Sequence, residues 1–229
     1  MSLVKYRQKR SFTSTKEPKG GKTKSSSDLI FVVQKHHASR LHYDFRLEVD
    51  GVLKSWAVPK GPSTDPTQKR LAMMVEDHPY DYNDFEGSIP GGNSGAGTVI
   101  VWDYGTYEPI TPVDGKAAAE KVLLKELKTG SVKIVLHGKK LKGEFALVKL
   151  KGKEDNSWLL IKHNDKYASQ NDITLKDKSV ISGKNLEKMS KLPDHVYKST
   201  STGASAAKKS ATSNHRNSPK AAGRQKKNP

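Results

Sequence analysis

The sequence predicts a mainly β fold, an antiparallel barrel or sandwich with one flanking helix and disordered basic tails. Three observations carry that prediction. Short β-branched and aromatic runs recur between turn residues at the spacing of an all-β domain. The pair Asp50-Gly51 joins two such runs, and these residue types tolerate the positive φ that a type I′ hairpin requires. Only one stretch has a long helical pattern.

The elements follow in chain order. Residues 1–27 are a polar arm rich in Lys, Ser and Gly. Strands are expected at 29–36, 41–50, 52–59, 70–77, 98–105, 131–138, 143–150 and 157–163, with 41–49 and 52–58 paired antiparallel across the Asp50-Gly51 turn. The helix reads "GKAAAEKVLLKELKT", with Asp114 as its N-terminal cap and Gly130 as its left-handed stop. The glycine run "GGNSGAGT" lacks the Gly-Lys-Ser/Thr ending of an NTP-binding loop and is expected as a strand connection. The domain is therefore expected over 28–175, with 176–229 a linker and a Lys/Ser/Ala-rich tail too poor in apolar side chains to offset its ordering entropy.

Composition narrows the function. In 229 residues, 34% hydrophobic content supports one modest core rather than two. A formal charge of +17 favours a polyanionic partner, most often nucleic acid. The chain has no cysteine, so any metal must sit on His, Asp or Glu. No segment approaches the roughly 20 apolar residues of a membrane span, and the cationic N-terminus lacks a signal-peptide core. Pro18, Gly20 and Gly21 argue against an amphipathic transit peptide. A soluble protein of the cytoplasm, associated with the nucleoid and not with membrane, is expected.

The segment "RLHYDFRLEVD" carries the candidate chemistry. In a strand, Leu41, Tyr43, Phe45, Leu47 and Val49 share one face, while His42, Asp44, Arg46, Glu48 and Asp50 share the other. An imidazole and a carboxylate two residues apart can lean onto one divalent cation, with the Arg46 guanidinium beside them to hold an anion. A wet, salt-bridged edge strand would show the same alternation. The neighbouring text favours a site: His36 and His37 lie just upstream, and "EDHPYDY" adds His78, Tyr80 and Tyr82. Lys60 and Arg70, at strand ends, would complete with Arg46 a cationic tripod if a loop brought them over the same face.

The stretches "FVVQKHHASRLHYDFRLEVDGVLKSWAVPKGPS", "RLAMMVEDHPYDYNDFEGSIP" and "GAGTVIVWDYGTYEP" closely resemble the 3′-phosphoesterase module of the bacterial ATP-dependent DNA ligases of nonhomologous end joining. The likeness runs from about Tyr6 to Tyr167 and suggests a stand-alone version. It implies a compact β-barrel and a manganese-dependent hydrolase, or one using another divalent transition metal, that heals 3′ ends of primer-template DNA. A phosphodiesterase step would remove a terminal ribonucleoside and leave a 3′-phosphate; a phosphomonoesterase step would then leave a 3′-OH. By the resemblance His36, His42 and Asp44 are metal ligands. Arg46, Lys60, Arg70 and His78 surround the phosphate, and Tyr82 lies close to the chemistry. The arm segment "RSFTSTKEP" aligns Arg10 and Glu17 with functional residues. Ser11 stands where the family usually has Asp, and Ser94 where an aromatic is common.

In that setting His78 is a candidate general acid for the leaving oxygen or a direct transition-state donor, since an imidazole near its ordinary pKa of about 6.5 offers both protonation states. The expected partners are DNA or RNA–DNA 3′ ends, an end-joining ligase or a Ku-type protein, with the chain a monomer. Two other readings remain open: an Fe(II) oxygenase triad of His42, Asp44 and His78, and a non-catalytic nucleic-acid-binding barrel that stacks bases on Trp56, Trp102 or Tyr104.

Overall fold

The computed structural model describes residues 3–21, 26–152 and 154–192. Among the described residues ten strands occur in chain order: β1 Leu29–His37, β2 Leu41–Val49, β3 Val52–Val58, β4 Lys69–Met74, β5 His78–Pro79, β6 Gly87–Ile89, β7 Gly97–Pro109, β8 Ser131–Gly138, β9 Lys142–Lys149 and β10 Ser157–Lys162. The same residues include three α-helices, α1 Val4–Gln8, α2 Lys116–Thr129 and α3 Leu186–Ser190. Eight of the strands close a barrel in the order β1-β2-β3-β4-β10-β9-β8-β7, and β7 pairs back onto β1. Every pairing is antiparallel. Closure leaves none of these eight strands as a free edge.

The Asp50-Gly51 turn forms as the residue types demand, with φ of 54° and 73° and Val49 opposite Val52. It sets the register that places Asp44 beside Ala57 and Arg46 beside Ser55. The strand's odd-numbered members Tyr43, Phe45, Leu47 and Val49 enter the barrel core with Phe31, Trp56, Phe145 and Trp158. Leu41, at the barrel rim, is instead 45% exposed. At the other end of the barrel α2 packs against β8 and β7 and buries Leu123. Gly130 stops this helix at φ 79°, as expected. Asp114 does not cap it; Gly115 takes the N-cap position at φ 81° without a side-chain bond.

The outer face of β1 and β2 is not wet. A second apolar cluster of Tyr6, Val32, Leu53, Tyr82, Phe85, Ile89, Val99 and Val101 lies there, joined by Phe12 of the arm and by Val180 and Ile181. Asp44, Arg46 and Glu48 are consequently buried. Residues 176–192, expected as linker, pack on this wall: Val180 N–H donates to the Val101 carbonyl, and Met189 is buried in α3. The sequence obscures this because apolar residues are sparse there, and Val180, Ile181 and Met189 carry the packing. The expected disordered tail beyond them lies outside the described residues.

Trp56 and Trp102 are fully buried and Tyr104 is half-buried against the outer cluster, so the two indoles proposed as base-stacking surfaces are core residues. The core claims them because a closed barrel of eight strands has an interior that side chains must fill.

Because 176–192 pack on the folded domain, Met189→Ala should lower unfolding free energy by about 2–5 kcal/mol, the usual range for a buried Met. Chemical denaturation of the full chain measures it; an unchanged midpoint would return the segment to linker status.

Candidate active site

The pleat of β2 projects His42, Asp44 and Arg46 outward from the barrel. His36, on β1, pairs directly with His42 across the β1–β2 ladder. One ligand atom from each of His36, His42 and Asp44 lies within 4.8 Å of the other two. The distances from Asp44 Oδ2 to His36 Nδ1 and from Asp44 Oδ1 to His42 Nε2 are 3.6 and 3.7 Å, too long for hydrogen bonds. His42 Nδ1 contacts the Arg40 carbonyl at 3.0 Å, so Nδ1 carries a hydrogen and Nε2 is the atom that faces Asp44. His36 Nε2 is buried with no hydrogen-bond partner. Two imidazoles and one carboxylate with no direct bonds among them fit a divalent transition metal. These three residues could hold such an ion.

Asp44 is kept ionised. Burial alone would raise its pKa, but Arg46, followed by His36 and His42, outweighs burial and holds the carboxyl well below the usual range. Arg46 is itself fixed on three sides: Nε donates to Gln34 Oε1 at 2.8 Å, Nη1 to Ser55 Oγ at 2.8 Å, and Nη2 lies 3.2 Å from Asp44 Oδ2. Its guanidinium carbon is 5.0 Å from the centroid of the Tyr82 ring. Gln34 is oriented in turn, donating to the Tyr82 and Phe85 carbonyls. The β1–β7 register slips by one residue between Val33 and Gln34.

The arm supplies the opposite wall. Arg10 Nε donates to Glu17 Oε1 at 2.8 Å, Nη1 contacts the Tyr6 carbonyl and Glu76 Oε1, and Nη2 lies 3.1 Å from His78 Nε2. Its guanidinium covers the Tyr6 ring at 3.9 Å. Glu17 Oε1 also accepts from the Tyr82 hydroxyl at 3.0 Å, and Oε2 accepts from Thr15. Glu76 ties down Lys9 at 3.0 Å. Ser11, at the position of the missing carboxylate, points its hydroxyl at Thr13 and uses its carbonyl to turn the chain at Ser14 and Thr15.

Arginine can only donate, so the contact with Arg10 makes His78 Nε2 an acceptor and puts the ring proton on Nδ1, which lies 2.9 Å from the Glu76 carbonyl. Burial, then the charges of Arg46 and Arg10, push the His78 pKa well below its ordinary value. The ring is therefore neutral near pH 7, and the expectation that both protonation forms coexist there is corrected. Tyr82 moves the other way: burial, then Glu17, raises its pKa well above the usual phenol, so it stays protonated and packs beneath Arg46.

Arg10, His36, His42, Asp44, Arg46, Glu76, His78 and Tyr82 face one cavity of about 250 Å³, with the glycine-loop residues Ser94 and Gly95 at its edge. Lys60 and Arg70 are not there. They line a separate groove at the ends of β3 and β4. The pleat explains it: Arg70 is in phase with Ala72 and Met74, which join the barrel core, whereas Asp44 and Arg46 point outward. The alternative triad also fails to form, since His78 Nε2 is engaged by Arg10 and His36 takes the third place. Sequence reasoning missed Gln34, Ser55, Glu76 and Lys9. Only Gln34 carried a signal, as an amide inside the apolar run "LIFVVQ".

The family model described as the DNA ligase D 3′-phosphoesterase domain matches residues 34–149. The multifunctional non-homologous end joining protein LigD of Pseudomonas aeruginosa is 52% identical over 167 residues, covering 71% of this chain and 19% of that protein. The multifunctional non-homologous end joining DNA repair protein LigD of Mycobacterium tuberculosis strain H37Rv is 43% identical over 158 residues, 69% of this chain and 19% of its own length. Its counterpart from Mycolicibacterium smegmatis is 42% identical over 164 residues, 71% of this chain and 21% of its own. The chain thus spans about one fifth of the length of these relatives.

In metal-free protein the His78 ring should keep its neutral Nδ1–H form at neutral pH and titrate well below the ordinary 6.5. As pH falls through 6.5 the unfolded chain gains a proton at His78 that the folded chain refuses. Its contribution to stability is therefore complete above that pH and declines below it. Nitrogen-15 chemical shifts of the ring decide the matter, and a midpoint at or above 6.5 would exclude the assigned contacts.

Proposed function

Since the chain belongs to the family of the DNA ligase D 3′-phosphoesterase domain, we propose that it heals 3′ ends of DNA, releasing a terminal ribonucleoside and then the 3′-phosphate left behind. The observation that carries this reading is the single cavity in which a three-ligand metal group adjoins two fixed guanidiniums, Arg46 and Arg10. A divalent metal on His36, His42 and Asp44, manganese in our reading, would polarise a phosphate oxygen as a Lewis acid.

The chain's own residues do the rest. Arg46, immobilised by Gln34 and Ser55, presents a guanidinium that need not reorganise as negative charge grows on the phosphate. Arg10 faces it from the arm with its orientation set by Glu17 and Glu76. A phosphate bound between the two cations offsets the charges that now depress His78, so the imidazole gains proton affinity. Once Arg10 has turned from the ring to that phosphate, Nε2 can take a proton from solvent and pass it to the leaving oxygen. Tyr82, hydrogen-bonded to Glu17 and packed beneath Arg46, acts as a positioning residue. The relatives' names set them in non-homologous end joining; we extend that setting, and contact with an end-joining ligase or Ku-type protein, to this chain.

A labelled primer-template ending in one 3′ ribonucleotide, incubated with and without manganese and sized for 3′-phosphate and 3′-OH products, tests the reading. His42→Ala, Asp44→Ala and Arg46→Ala should each slow release by about 100-fold or more, the scale of losing a preorganised electrostatic group. Near-normal turnover in three folded variants would move the chemistry elsewhere. Removing residues 193–229, which carry eight Lys or Arg against one Asp, should flatten the salt dependence of DNA binding. The logarithmic slope of affinity against salt measures this, and an unchanged slope rejects a DNA-binding role for that segment.

A further inference from the structure

The cavity that holds the metal-ligand group carries three cations, and they are not held alike. The side chains of Arg46 and Arg10 are 3% and 5% exposed, and each is fixed by several partners. Lys9 lines the same cavity from the C-terminal cap of α1, and its side chain is 52% exposed. Its ammonium lies 3.0 Å from Glu76 Oε2, while Arg10 Nη1 takes Glu76 Oε1 at 3.3 Å. One carboxylate therefore serves two cations. Lys9 can swing away without leaving Glu76 unpaired, because Arg10 stays on the other oxygen. Arg10 is tied at Nε to the buried Glu17 and at Nη1 to Glu76, so its Nη2 alone is open to a ligand. A compact ammonium on a flexible four-carbon stem suits a contact that must move.

The two phosphates of the proposed reaction differ in charge. The phosphate that joins a terminal ribonucleoside to the primer is a diester with one negative charge. Release of the ribonucleoside turns it into a monoester, whose second ionisation near pH 6 brings its charge close to two at neutral pH. The fixed guanidiniums of Arg46 and Arg10 face both species. A mobile cation at the cavity mouth can answer a charge that one species carries and the other lacks.

We propose that Lys9 is a specificity-determining residue of this site: its ammonium leaves Glu76 to bind the extra anionic oxygen of a 3′-phosphomonoester, and stays on Glu76 when the phosphate is a diester. This assignment rests on the esterase reading above. It separates the two steps of that reading by the charge of the phosphate, with the metal-ligand group and both guanidiniums common to them.

The test compares the full-length wild-type chain with Lys9→Met and the conservative Lys9→Arg. Two primer-templates are bound in EDTA, one ending in a 3′-phosphate and one in the methyl diester of that phosphate, so that they differ by one charge and one methyl group. Fluorescence anisotropy gives both affinities, and their ratio cancels any loss of folded protein or of general DNA binding. Wild type should favour the 3′-phosphate. Lys9→Met should lower that preference about fivefold, the scale of one charge contact partly open to water, and Lys9→Arg should restore it. With manganese, the ratio of kcat/KM for 3′-phosphate removal to that for ribonucleoside release should fall by a similar factor in Lys9→Met. A ratio that Lys9→Met leaves unchanged in either measurement overturns the assignment, and ribonucleoside release by wild type would then leave the esterase reading standing without it. A wild-type chain that releases no ribonucleoside overturns the esterase reading and this role for Lys9 together.

Discussion

The ion pair between Asp44 and Arg46, held at 3.2 Å on the outer face of a barrel strand, is the interaction on which the rest depends. Ionised groups taken out of water cost several kcal/mol each unless their lone pairs and protons are met. Gln34 and Ser55 meet Arg46 on one side and Asp44 meets it on the other, while the two imidazoles stand 3.6 and 3.7 Å from the carboxylate, where a bound cation would be shared among them. What keeps water away is the arm, whose Tyr6 and Phe12 join Tyr82 and Phe85 in the outer cluster. A barrel wall that would otherwise face solvent thereby becomes the floor of a site.

The charge balance of that site explains how a strongly basic chain can present a selective cavity. Three cations, Lys9, Arg10 and Arg46, meet three carboxylates, Asp44, Glu17 and Glu76. The cavity is close to neutral without a metal, and an added divalent ion leaves it positive by about its own charge. A phosphate dianion then restores neutrality in a partly dry enclosure, where electrostatic interactions are stronger than in bulk water. Loss of one member would leave its partner charged and buried, so changes in this network should register in folding as well as in chemistry.

Much of the barrel was legible because its strands announce themselves locally. The 41–49 run alternates, Asp50-Gly51 dictates its turn, and Gly130 ends the helix. The two-residue β5 and three-residue β6 left no pattern to read. The candidate site was legible where one strand carries it, as in His42, Asp44 and Arg46, and illegible where distant segments converge. Glu76 and Lys9 earn their places only through Arg10 and the fold of the arm. Lys60 and Arg70 share a charge type with the site but not its face, a distinction that depends on strand register. The neutrality of His78 was equally out of reach, since it follows from burial and two guanidiniums that sequence distance does not relate to it.

Position 11 shows how far such a network can absorb a departure. A carboxylate there would have been a natural orienting group for Arg10, yet Arg10 is already set by Glu17 at its Nε, by Glu76 and the Tyr6 carbonyl at Nη1, and by the Tyr6 ring beneath. Ser11 instead serves the local turn, accepting through its carbonyl from Ser14 and Thr15, and this turn precedes the Thr15 and Glu17 side chains that are hydrogen-bonded to each other. Ser14 then reaches across to Asn93 in the glycine loop, linking the arm to the rim of the cavity. The arm is therefore docked by contacts on both sides of position 11, and the orientation of Arg10 does not depend on the side chain there.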